Sequence, residues 1–139
     1  MVRKLLSGAV AGTSAMTLFS YYLSYKTDKQ FKEPMLLNQL LRISNRNSLA
    51  GWNLHYLIGF LFTAGSHSFW KCKKIDPTFH SGLLLGLMYG FIGILGWHIL
   101  FKLHSNPPSI KLRMYFIHLL AAHVIFGLGS TAGYKLLHR

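Results

Sequence analysis

The chain has 139 residues, about half of them hydrophobic (51%), with 15 Lys and Arg against 3 Asp and Glu, a formal charge of +12 and one cysteine. The lone Cys72 excludes an intrachain disulfide and a zinc cage of several thiolates, and no piece outside the apolar segments is long enough to bury a core of its own. A positive excess would suit nucleic acid, but Lys26, Lys29 and Lys32, like Lys71, Lys73 and Lys74, stand at the edges of apolar segments, where cations meet anionic lipid headgroups.

Four stretches carry no Asp, Glu, Lys or Arg: Leu5–Tyr25, Asn47–Trp70, Pro77–Phe101 and Met114–Tyr134. Each exceeds the about 20 residues that a helix needs to cross a bilayer. The expected fold is therefore an all-α integral membrane four-helix bundle, one transmembrane domain over residues 1–139.

The first span is expected over Leu5–Ser24. Arg3 and Lys4 before an apolar run imitate a secretory signal, but no small-residue cleavage site follows, so a retained helix is expected. Next, Pro34 opens a segment in which Leu36, Leu37, Leu40, Leu41 and Ile43 form a one-sided stripe. It predicts a short interfacial helix over residues 34–43, between helices 1 and 2, with a plain connector as the alternative. The second span is expected over Gly51–Trp70, the third over His80–Leu103 and the fourth over Lys111–Leu137. Asp76-Pro77 and Asn106-Pro107-Pro108-Ser109 break the chain between them. Tyr21, Tyr22, Tyr25, Trp52, Tyr56, Trp70, Trp97, Tyr115 and Tyr134 mark the span ends, at headgroup level. Beside Lys71, Lys73 and Lys74, Cys72 reads as an interfacial thiol open to acylation, or as an idle one.

The basic residues divide almost evenly between the two faces. Arg3, Lys4, Lys71, Lys73, Lys74, Lys135 and Arg139 fall on one, the remaining eight on the other. The first helix then sets the expectation that both termini are cytoplasmic.

Ser7-Gly8-x-x-x-Gly12 opens the first span and Ser81-Gly82-x-x-x-Gly86 the third, a pattern that fits a tandem duplication of a helical hairpin about an axis along the membrane normal. Gly8 and Gly12, then Gly82, Gly86 and Gly90, then Gly129 and Gly133 recur at intervals of four, which puts each set on one helix face for close packing. The run Gly8-Ala9-Val10-Ala11-Gly12-Thr13-Ser14-Ala15-Met16-Thr17, with His123-Val124-Ile125-Phe126-Gly127 and Gly133-Tyr134, resembles small four-helix bacterial inner-membrane proteins, a domain of unknown function. The resemblance implies a compact bundle in a bacterial inner membrane and brings no catalytic residues.

Within the charge-free stretches, histidines are the only ionisable residues that point to function. His55, His98 and His118 are expected in one leaflet, with His123 deeper. Two imidazoles on different helices can clamp haem iron, and three can hold zinc or copper. Alternatively, each imidazole hydrogen-bonds a neighbouring Ser, Thr or carbonyl and joins helices. His118 and His123 are five apart and do not share a face. No carboxylate lies within a span, so paired-carboxylate catalysis and carboxylate-driven proton transport lack their parts. Three functional readings follow. The first is a non-enzymatic multi-pass protein that packs against partner membrane proteins, a second copy of itself or lipid, as a small subunit of a complex. The second is a haem- or metal-binding bundle for electron transfer or metal handling. The third is a small transporter built from parallel repeats.

Overall fold

The computed structural model describes residues 1–43 and 48–136. Among them are five helices and no strand: α1 (Val2–Thr27), α2 (Glu33–Leu40), α3 (Leu49–Lys73), α4 (Phe79–Leu103) and α5 (Leu112–Leu136). Helices α1 and α5 contain the first and last charge-free stretches, and α3 and α4 run through the second from Leu49 and the third from Phe79. Leu137, the expected end of the last helix, lies outside the described residues, as do Arg46 and Arg139 of the basic rims.

The breakers stand where the long helices end. Asp28 caps α1 at φ 51° and Lys74 caps α3 at φ 54°, left-handed positions that close the last turn. After Asp76-Pro77, Thr78 and Ser81 form a reciprocal capping box that starts α4. Asn106-Pro107-Pro108 separates α4 from α5 because neither proline can donate to a helix interior.

Side by side, the long helices run in the order α3, α1, α5, α4. Helix α5 is central and antiparallel to both neighbours. Against α1, Ser7 Oγ donates to the Gly133 carbonyl (2.8 Å) at one end while Ser20 meets His118 at the other. Against α4, Gly86 lies beside His123, and Trp97 meets Tyr115 at 5.3 Å between ring centroids. Helix α3 packs on α1 through Thr17–His55 and Ser14–Tyr56 and reaches α5 through Thr63–Ser130 and His67–Tyr134. Two equivalent hairpins would press α3 on α4 as closely as α1 on α5. Instead, α3 and α4 meet only toward their connecting turn, where Trp70 Nε1 donates to Ser81 Oγ (2.9 Å) and Ser66 bonds the Tyr89 hydroxyl (3.0 Å). Beyond Tyr89 the two helices diverge.

Helix α2 fills the end of the bundle. It starts at Glu33-Pro34 as the proline predicts, but ends at Leu40, and it does not lie on the surface. Glu33, Pro34, Leu36, Leu37 and Asn38 are all buried. Leu36, Leu37 and the preceding Phe31 share an apolar cluster with Trp97, Phe101, Tyr115 and Leu119. An interfacial helix keeps its apolar face for lipid; this one spends that face on α4 and α5.

Asn38 holds α2 in place. Its Oδ1 accepts from Gly51 N (2.7 Å) and its Nδ2 donates to the Ser48 carbonyl (2.8 Å). The fit needs a glycine, since a Cβ on Gly51 would meet Asn38 Oδ1 at 2.8 Å. Asn38→Ala strands the buried Gly51 N–H and is expected to cost about 2 kcal/mol of stability, read from thermal unfolding in detergent. A loss within experimental error would show that α2 needs no such anchor.

By length and composition, α4 and α5 are apolar enough to cross a membrane. Helices α1 and α3 are as long but carry Thr13, Ser14, Thr17, Ser20, His55, Thr63 and Ser66 along their middles.

Candidate functional site

The bundle's one buried carboxylate is supplied by α2. Asp28 and Asp76 are exposed, whereas Glu33 is 2% exposed. It sits where α1 and α5 carry complementary groups. Ser20 Oγ lies 3.0 Å from Glu33 Oε1 and 3.0 Å from His118 Nε2, and His118 Nε2 is 3.2 Å from Glu33 Oε1. Three side chains from three helices thus close a triangle. Phe31 and Phe19 stack with the His118 ring at 4.4 and 5.5 Å between centroids, which fixes its plane.

Burying a lone carboxylate would cost several kcal/mol. Here the Ser20 hydroxyl and the His118 imidazole both face it, and the contact can form as carboxylate with imidazolium or as acid with neutral ring. The triangle is not closed to further partners. Glu33 Oε2, His118 Nδ1 and the Tyr115 hydroxyl are buried without a hydrogen-bond partner among the described residues. Tyr115 is next to the site, its ring 6.3 Å from that of His118.

Beside this pair, the wedge between α3 and α4 encloses a cavity of about 220 Å³ with mostly apolar walls. Glu33 and Leu37 of α2 close one end. Phe62, Trp97 and Phe126 give it aromatic walls, and Thr13, His55 and His123 contribute polar atoms. Glycine makes the room: Gly59, Gly93 and Gly96 stand along it, and a Cβ on Gly96 would meet nothing within 4 Å.

The hydrogen bonds fix which atoms of the two cavity histidines carry protons. The Leu119 carbonyl can only accept, so His123 Nδ1, 2.8 Å away, is the donor. A neutral ring then has its lone pair on Nε2, at the edge facing Gly93. Thr17 has one hydroxyl proton, and it goes to the Thr13 carbonyl at 2.6 Å. His55 Nε2 at 3.0 Å is therefore the donor to Thr17, which leaves Nδ1 as its acceptor. Thr13 Oγ1 has no partner among the described residues.

The four histidines singled out from the sequence do not converge. His55 and His123 border the cavity, His118 is held by Glu33 and Ser20, and His98 is exposed on the outer face of α4 beside Phe116. His98 follows the buried Trp97 by one residue, and the 100° step carries it outward. Among the described residues no three His, Cys, Asp or Glu side chains are grouped to hold a metal ion. His55 and His118 do not face each other across an axis either; both turn to α1, at Thr17 and Ser20.

The glycines sit at helix crossings. A Cβ on Gly12 would lie 2.8 Å from the Phe126 carbonyl oxygen, one on Gly86 2.6 Å from that of His123, and one on Gly133 2.6 Å from that of Ser7. Gly8, Gly82, Gly90 and Gly129 have neighbours as close or nearly so.

Sequence reasoning placed every carboxylate outside the bundle and so missed Glu33. A signal was present on α1: Thr13, Thr17, Ser20 and Ser24 recur at three and four residues, a hydroxyl stripe that wants polar partners. Thr17 reaches His55, Ser20 reaches Glu33 and His118, and Ser24 Oγ accepts from Phe31 N (3.1 Å).

The chain belongs to the family of unknown function DUF6789, whose pattern matches residues 2–139. No curated protein and no solved structure matches it significantly.

Proposed function

We propose that this DUF6789 chain is a four-span integral membrane protein that acts without covalent chemistry, packing within the bilayer against partner helices or lipid, as a small subunit of a membrane assembly. One observation carries the reading: buried polar side chains accompany the apolar core while large apolar side chains cover the outside. Thr13, Ser20, Glu33, Asn38 and Thr63 are fully buried, while Leu18, Leu61, Phe91, Leu95 and Ile117 are each more than half exposed. Water would penalise both halves of that distribution, and a lipid solvent accepts both. Polar interiors of this kind join transmembrane helices where no hydrophobic drive exists between them. Helix α4 turns Leu83, Leu84, Met88, Phe91, Ile92 and Leu95 outward, which makes it the broadest apolar face on offer.

Four spans place the α3–α4 turn on the side of the termini and the α1–α2 turn on the opposite side. The exposed Cys72 is a native probe of the first. With a membrane-impermeant maleimide, Cys72 is expected to label from the cytoplasmic face only, and a Cys72→Ser/Asp28→Cys variant from the other face only. Labelling of both from one side would end the four-span reading. Exchanged sides would keep the spans and reverse the termini.

A further inference from the structure

We infer that the cavity between α3 and α4 binds a membrane-soluble molecule with a flat, ring-sized apolar body and an O–H donor on its head, a lipophilic phenol or quinol in chemical terms. The inference rests on the four-span reading, because the molecule must reach the cavity through lipid. Three features of the site lead to it.

The first is access. Ile92 and Leu100 of α4 border the cavity yet are 52% and 45% exposed. Gly96 lies between them in sequence and is exposed itself. Its missing side chain leaves a gap that faces the acyl chains, not either aqueous phase. The second is shape. Phe62, Trp97 and Phe126 offer ring surfaces, and Gly93 and Gly96 of α4 lack the side chains that would otherwise enter the space between them. Aromatic rings pack on one another in offset or edge-to-face geometry, which favours a planar guest.

The third is polarity, and it selects the head group. His123 Nε2 and His55 Nδ1 present lone pairs, by the proton assignments above. Both rings belong to the cavity wall, and His123 Nε2 lies at its Gly93 edge. The imidazoles of the wall thus offer acceptors. A guest that only accepts, such as an ether, would set lone pair against lone pair, and a guest that donates satisfies them. With mostly apolar walls and entry through lipid, a neutral donor fits the site better than a cation.

The test uses two probes with the same ring and chain, 4-hexylphenol and 4-hexylanisole, in the second of which a methyl group replaces the donor proton. With the full chain in detergent micelles, saturating 4-hexylphenol is expected to raise the unfolding temperature by about 5 °C or more, and calorimetry should give one site per chain. The anisole should bind about tenfold more weakly or worse. Gly96→Leu plugs the mouth at a position where a Cβ meets nothing; it should melt at the native temperature without ligand and lose at least about tenfold in phenol affinity. Equal binding of the two probes, no saturable phenol binding, a Gly96→Leu chain that still binds, or one that fails to fold would each overturn the inference. None of these readouts depends on the number of spans, which maleimide labelling decides separately.

Discussion

Glu33→Ala is expected to destabilise the folded chain by about 3 kcal/mol, because it removes the buried carboxyl that joins Ser20 and His118 and leaves His118 Nε2 with Ser20 alone. His118→Ala should cost a similar amount by leaving the buried Glu33 Oε1 with Ser20 alone. The double variant should cost less than the sum of the two, by at least about 1 kcal/mol, since each single change already breaks the same contact. Reversible unfolding of the four proteins in one detergent gives the cycle. Strict additivity would mean that the 3.2 Å approach of these groups contributes nothing. Glu33→Gln separates the two proton arrangements. An amide still accepts from the imidazole but cannot be a carboxylate, so near-native stability would indicate a neutral pair and an alanine-sized loss an ionic one.

This pair also marks where reading the sequence stops working. The long helices were legible because the charged residues are confined to the pieces between long uncharged stretches, and Pro77, Pro107 and Pro108 mark their limits whatever the tertiary structure does. Pro34 likewise announced the start of α2. Its depth was not legible, since Leu36, Leu37 and Leu40 look the same facing lipid or facing Trp97 and Tyr115. The choice is made by Ser20 and His118, 13 and 85 residues away from Glu33, and by Asn38 reaching Gly51. Local composition holds no record of those partners. The histidines failed as a set for a related reason. Spacing gives depth along a helix, but rotation decides what a ring faces, and the rotation of α4 is fixed by its glycine seam with α5. That seam turns Trp97 inward and His98 outward.

Spacing of four showed that glycines share a face without showing which helix they meet. The answer is mostly α5, and it predicts the largest effect of any small substitution. A Cβ on Gly127 would lie 2.8 Å from Gly86 Cα and 2.9 Å from Gly86 N. Both contacts are with main chain inside a hydrogen-bonded helix, so neither can turn aside as a flexible side chain would. Gly127→Leu must therefore push α4 away from α5 along their whole crossing, and is expected to cost about 3 kcal/mol or more, seen as a large drop in unfolding temperature. Gly96→Leu, with the same added volume on a helix of the same bundle, should leave that temperature unchanged. Equal losses would mean that the cost does not arise at the α4–α5 contact. The contrast also separates the two jobs glycine does here. Along α5 it brings backbones together, and at the α3–α4 gap it holds them open, so Gly127→Leu should weaken 4-hexylphenol binding by moving the Trp97 and Phe126 walls apart, whereas Gly96→Leu should weaken it by occupying the space between walls that have not moved.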